Sequence, residues 1–286
     1  MKILIISDIK SNLESIIPFG LRFGKHTETN VDVVHFIDPR AEHGVSSTYA
    51  DSQSITPGEK LSHDKILDRE KAMVTAALDK LLSREASRLN YPLKVDRIIE
   101  IDNAENAFKD KLNEGTDQMI VVNRDLESTS IESYNALLND TKDQSLLIMS
   151  VPSGLDFTIP DKALIISDFT ESSHKSLQLL FKWLHPFDIY YNATEVVKMS
   201  QMIESELKME AWKSIVSKYL PSAASINTNT IQGNNYKETL LNYINRNDHD
   251  LVILPRENLK QSLNKSINSN STKKLLKELN KVVIFY

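Results

Sequence analysis

The chain contains no cysteine. That removes disulfides, zinc–thiolate sites, cysteine nucleophiles and thiol redox switches from consideration. It also has no apolar run near the roughly 20 residues a membrane helix needs. Basic charge is scarce as well: 34 Lys and Arg against 39 Asp and Glu give a net charge of −5. Nucleic-acid binding needs clustered Lys and Arg over a broad face, so it is disfavoured. The opening Met1-Lys2-Ile3-Leu4-Ile5-Ile6-Ser7-Asp8 is too short in its apolar core for a signal peptide and reads as a strand. These features lead to the expectation of a soluble cytoplasmic protein with neither nucleic-acid nor membrane partners. With 286 residues, 41% of them hydrophobic and 26% charged, the chain has room for two ordinary domains.

An internal repeat is visible. Leu4-Ile5-Ile6-Ser7-Asp8 returns as Leu164-Ile165-Ile166-Ser167-Asp168, an offset of 160 residues. Each copy has the pattern of a strand buried on both faces. Each is followed by apolar residues at helical spacing: Leu13, Ile16, Ile17 and Gly20, then Leu177, Leu180, Phe181 and Leu184. Further strands are expected at Val31–Ile37 and Asp188–Asn192, at Lys94–Ile101 and Ser225–Gln232, at Gln118–Val122 and Leu251–Leu254, and at Leu146–Val151 and Val282–Tyr286. Between them lie long second helices, with Ile66, Met73, Ala77 and Leu81 sharing one face and Met199, Ile203, Leu207, Ala211 and Ile215 another. Shorter helices are expected near 103–114 and 235–246.

Each half thus reads as five strands alternating with helices, which implies parallel β-α-β units with right-handed crossovers. Pro152 to Asp161 is a turn-rich linker, giving a first domain over 1–153 and a second over 161–286. The offset between halves falls from 160 to 133 along the chain, so the first half carries 27 extra residues. They fit the excursion Pro39–Ser62, which has little periodicity.

The order of elements, the Asp ending the first strand and the long second helix resemble the universal stress protein (UspA-like) family in its tandem form. Asp117 and Asp250 ahead of the late strands strengthen the resemblance, as does His35 near the end of the second strand. Asn192 is the nearest counterpart of His35 in the second half. The resemblance implies two doubly wound, Rossmann-like units of strand order 3-2-1-4-5, packed as an internal pseudo-dimer. Their fifth strands, Leu146–Val151 and Val282–Tyr286, are sheet edges expected to pair antiparallel across a pseudo-two-fold axis. Asp8 and Asp168 would stand at the crevices where strand order reverses. In nucleotide-binding members this Asp meets the adenosine portion of ATP or AMP. From the residues alone, either aspartate equally well caps the turn after its strand.

Nucleotide-binding members of that family carry Gly-x-x-Gly, nine residues, then Gly-Ser or Gly-Thr after the fourth strand. Glycine lets the backbone approach phosphate, and the next helix offers free N–H groups. Here the spacing survives without the glycines. The three positions hold Val122, Asp125 and Asn135, followed by Ala136, in the first half. They hold Pro255, Asn258 and Asn268, followed by Ser269, in the second. Val122 is branched, Asp125 is anionic and Ala136 has no hydroxyl, so the first half is not expected to bind ATP in the family manner. In the second, Asn tolerates left-handed backbone and Ser269, Ser271 and Thr272 supply hydroxyls, while Pro255 opposes a standard loop. Ser271 or Thr272 could instead cap a helix over Thr272–Leu279, with Lys273 and Lys274 in its first turn.

His35 reads as a packed core histidine, and His26, His43, His63, His174, His185 and His249 show no metal-ligand spacing. Arg124 and Arg256, just past the fourth strands, read as solvated surface arginines, with anion contact as the alternative. Trp183, Trp212, Met199, Met202 and Met209 read as packing residues. No nucleophile, base and acid assemble into a catalytic pattern. The expectation is a non-enzymatic stress-response binding or regulatory protein, with no obligate cofactor and an unidentified protein partner. The alternative is an ATP- or AMP-binding regulator that uses the second half only, through Asp168, Asn258, Asn268, Ser269 and Ser271.

Overall fold

The computed structural model describes residues 1–8, 11–37, 63–89, 94–102, 117–124, 146–170, 174–221, 224–255 and 278–286. The excursion at 39–62, the helix near 103–114 and most of the helix at 272–279 lie outside them, as do Asp125, Asn135, Ala136 and Arg256. The elements are β1 (Lys2–Asp8), α1 (Leu13–His26), β2 (Val31–Ile37), α2 (His63–Leu89), β3 (Val95–Ile101), β4 (Gln118–Asn123) and β5 (Leu146–Val151), then β6 (Lys162–Ile166), α3 (His174–Leu184), β7 (Tyr190–Val197), α4 (Met202–Val216), β8 (Ile226–Gln232), α5 (Tyr236–Asn247), β9 (Leu251–Leu254) and β10 (Val282–Phe285). A single 3-10 turn, Met199–Gln201, leads into α4.

All ten strands form one sheet in the order β3-β2-β1-β4-β5-β10-β9-β6-β7-β8. Each half has the order 3-2-1-4-5, and the second is laid against the first edge to edge. Every pairing is parallel except the central one, where β5 and β10 run antiparallel with Met149 opposite Ile284. The fifth strands therefore meet as their sequence positions suggest.

Alternation along each strand sends side chains to two buried layers. Ile3, Ile5, Val31, Val33, Met119 and Val121 belong to the layer that α1 and α2 cover in the first half and that continues beneath α3 and α4 in the second. Leu4, Ile6, Val34, Ile120 and Val122 pack on the other face, together with Leu240 and Ile244 of α5. Helices on both faces explain the unbroken apolar runs. Gly20 lets α1 lie directly on β1, since a Cβ there would stand 2.4 Å from Ile5 Cδ1.

Aromatic packing and a buried arginine help to knit the halves together besides β5 and β10. Phe23 of α1 stacks on Phe187 and Trp183 of the second half at ring-centre distances of 5.5 and 6.5 Å, and Phe157 of the linker meets Phe19 edge-on at 5.3 Å. Arg124, just past β4, is buried, contrary to its reading as a solvated residue. Its guanidinium donates to Ser150 Oγ and the Ser150 carbonyl, both at 3.0 Å, and to the carbonyls of Leu279 and Lys281 ahead of β10. A planar fork that reaches several carbonyls at once is a task for Arg rather than Lys.

The long helices correct two expected faces. On α4 the inward stripe is Met202, Ser205, Met209, Trp212 and Val216, with Trp212 only 1% exposed. Met199, Ile203 and Leu207 point outward and are 75, 77 and 73% exposed. On α2 the buried stripe runs through Leu67, Leu78, Leu81, Glu85 and Leu89, while Met73 and Ala77 face solvent. Two interleaved apolar stripes share one period, and only the neighbouring sheet selects between them. β7 also begins two residues later and runs longer than Asp188–Asn192, ending at Val197.

Arg124→Ala would leave buried carbonyls without donors, each worth about 1–3 kcal/mol. Urea unfolding should show a loss of about 2–4 kcal/mol, with Arg124→Lys restoring less than half; an unchanged midpoint would refute the clamp. On α4, Trp212→Ala should cost about 3–5 kcal/mol. Ile203→Ser should stay within about 0.5 kcal/mol in the same assay.

Candidate functional site

In a doubly wound sheet, the crevice opens outside the carboxyl ends of the two strands where chain direction switches. Here these are β1 and β4 in the first half, and β6 and β9 in the second.

At the first crevice three polar residues lie in one row across the sheet. Ser7 pairs in register with His35, and one step beyond the Ile6–Val122 pair it stands beside Asn123. Ser7 Oγ and His35 Nδ1 are 3.0 Å apart, and Ser153 Oγ donates to Asn123 Oδ1 at 2.9 Å. His35 is 1% exposed, and its Nε2 has no hydrogen-bond partner among the described residues. Burial pushes its pKa down to about 4, against the opposing pull of the Asp8 carboxylate. The imidazole is therefore neutral near pH 7 and too weakly basic to activate Ser7. The reading of His35 as a packed histidine fits this environment.

Asp8 closes the turn that leads into α1. Ser11 Oγ donates to Asp8 Oδ1 at 2.8 Å and accepts from the Asp8 N–H at 2.9 Å. Asp168 plays the matching part, with Oδ1 accepting from Thr170 N at 3.2 Å and Thr170 Oγ1 at 2.8 Å. The residue between them, Phe169, is left-handed at φ 54° and sets its ring against Trp212 at 5.2 Å. Both aspartates thus act in their own turns and remain partly exposed at the crevice.

The second crevice differs in charge. Ser7 and His35 are 28 residues apart, and the same spacing from Ser167 reaches Glu195, one step beyond the Ile166–Thr194 pair. Glu195, not Asn192, is the counterpart of His35. Asn192 pairs with Leu164 three residues earlier, and its amide meets His249 Nε2 at 3.0 Å. Burial raises the pKa of Glu195, and the Asp168 carboxylate adds to the rise, against a hydrogen bond from Ser205 Oγ. Burial and the same two carboxylates push Tyr236 up to about 12. Lys208 lies near the pair but is itself bonded to Glu204 at 2.6 Å. Counting 28 residues in both halves would have revealed Glu195 from sequence.

Of the phosphate-loop positions, Val122 is an interior residue of β4 paired with Ile6 and Ser150. Pro255 is buried directly after β9. Asn258, Asn268, Ser269 and Ser271 lie outside the described residues. Among the described residues, no three His, Asp or Glu side chains group as metal ligands. No described helix is long and apolar enough to cross a membrane.

A universal stress protein from Archaeoglobus fulgidus DSM 4304 superposes on this chain with a TM-score of 0.62 at 11% identity, covering 99% of this chain and 95% of its own. This chain has the universal stress protein fold. A functionally unknown protein from Pseudomonas aeruginosa PAO1 shares that fold, with a TM-score of 0.55 at 12% identity over 99% of this chain and 91% of its own. No family model and no curated protein matches the sequence. The shared fold thus extends over nearly the full length of both chains at 11% identity.

His35 adds a pH dependence with a definite sign. Its folded pKa lies below the unfolded value near 6.5, so the unfolded chain binds the extra proton. Its contribution to stability is complete above about pH 6.5, declines as pH falls towards 4 and is flat below that. The loss amounts to about 3 kcal/mol. His35→Gln should flatten the stability profile between these limits in urea unfolding at a series of pH values. An unaltered slope would show that His35 does not titrate as described.

Proposed function

We propose that this chain is a tandem universal stress protein whose two units, 1–153 and 161–286, act in stress response by binding and not by nucleotide turnover. The fold supports the tandem assignment, and the role in stress response rests on that likeness. The observation that carries the binding reading is the acidic second crevice. Asp168 and Glu195 stand together there, and an ionised Glu195 would repel an anionic group brought beside it by roughly 1 kcal/mol at close range.

In the first crevice Val122 is locked inside β4, and the neutral His35 leaves Ser7 without a competent base. Phosphoryl transfer relies on cationic clamps around the transferred group, and among the described residues Lys208 near the second crevice is already bonded to Glu204. A ligand suited to the second crevice is uncharged or cationic near the carboxylates.

Isothermal titration of the purified chain with ATP and Mg²⁺, paired with mass spectrometry for co-purifying nucleotide, tests this reading. The expected result is no saturable heat and no bound nucleotide. Stoichiometric ATP or AMP binding that disappears in Asp168→Ala would overturn it in favour of a nucleotide regulator using the second half.

A further inference from the structure

The finished sheet still has two outer edges, β3 and β8, and they are unlike. β3 reads Val95-Asp96-Arg97-Ile98-Ile99-Glu100-Ile101, with three charged residues among seven. Two of these are paired locally, Arg97 with Asp79 and Asp96 with Lys94 at 3.4 Å. Charges along an edge are a standard guard against pairing with another chain. β8 reads Ile226-Asn227-Thr228-Asn229-Thr230-Ile231-Gln232, with no charge and no proline. The neutral stretch extends from Ser222 through Asn235, in a chain of net charge −5.

The backbone of β8 shows which groups face outward. Tyr191 N donates to the Ser225 carbonyl at 3.2 Å, and Gly233 N donates to the Val197 carbonyl at 3.1 Å. In a parallel ladder the N–H and C=O of one residue point the same way and alternate along the strand. The odd-numbered residues of β8 therefore face β7, while Ile226, Thr228, Thr230 and Gln232 turn their N–H and C=O groups to the edge. Among the described residues β8 pairs with β7 alone. The side chains beside that edge are already ordered: Asn229 bonds to Thr194 and Tyr243, and Asn227 bonds to Tyr190.

We propose that β8 is a self-association edge, pairing antiparallel with β8 of a second copy. The strand is compatible with its own two-fold image. About an axis at Asn229, Thr228 faces Thr230 of the other copy and Ile226 faces Gln232. The outward-facing residues form the hydrogen-bonded pairs, and no like charges are opposed. Thr–Thr pairs across antiparallel strands are favourable. The same sheet is already extended once in this manner where β5 meets β10, so self-pairing at β8 continues it through the partner. The first-half edge, with Asp96, Arg97 and Glu100, is excluded from the same pairing.

Sedimentation equilibrium of the whole chain over a concentration series is the test. The expected mass rises from 32.5 kDa towards twice that value. Thr228→Pro removes an outward N–H without touching the ladder to β7, and should hold the protein at monomer mass with its urea midpoint retained. Thr230→Lys places a cation near its own symmetry mate and should raise the dimer dissociation constant at least tenfold, which keeps the test decisive if the proline variant fails to fold. Asp96→Asn on the opposite edge should leave the mass unchanged. Monomer mass at every concentration up to about 200 μM would overturn the proposal, as would a dimer that persists in folded Thr230→Lys.

Discussion

The antiparallel contact between β5 and β10 is the constraint on which the rest of the structure depends. Each half alone would end in a strand with one side unpaired, and the buried main-chain groups of such a strand need partners. Joining the two edges satisfies both at once and makes one sheet of ten strands. The pairing also decides what surrounds it. It brings the carbonyls of Leu279 and Lys281 to Arg124, and it brings α1 against the aromatic side chains of Trp183 and Phe187. A buried guanidinium is tolerable because four acceptor contacts replace the water it gives up.

With the halves locked in this way, the crevices at β1/β4 and β6/β9 become two versions of one scaffold that have taken different chemistry. The first is a neutral polar row of Ser7, His35 and Asn123, sealed enough to hold His35 uncharged. The second replaces the imidazole with Glu195 beside Asp168 and is acidic. What both retain is structural: an aspartate at the end of the first strand accepts a hydroxyl hydrogen bond that shapes the following turn. The aspartate that most resembles a nucleotide-binding residue thus has a use in folding that does not require a nucleotide.

Much of the fold was legible because it is written in local, repeated signals. Unbroken apolar runs marked the strands, Ser-Asp marked the end of the first strand in each half, and the two unpaired fifth strands pointed to their own pairing. What escaped was whatever depends on distant neighbours. Met199, Ile203 and Leu207 have the same helical period as Met202, Met209 and Trp212, and periodicity alone does not say which stripe the sheet covers. Ending the second strand of the second half at Asn192, five residues short of Val197, pointed to Asn192 where Glu195 belongs. Arg124 looked like a surface residue because two of its carbonyl partners, those of Leu279 and Lys281, lie more than 150 residues away along the chain.

The central claim is that β5 and β10 form an integral seam and not a loose contact between two independent bodies. Native-state hydrogen exchange of the β10 amides, at Val283, Ile284 and Phe285, tests it most directly. If the seam is integral, these amides exchange only through global unfolding, with the same opening free energy as Ile5 and Val33 at the centre of the first half. Exchange of the β10 amides through a cheaper local opening, while Ile5 and Val33 stay protected, would contradict it.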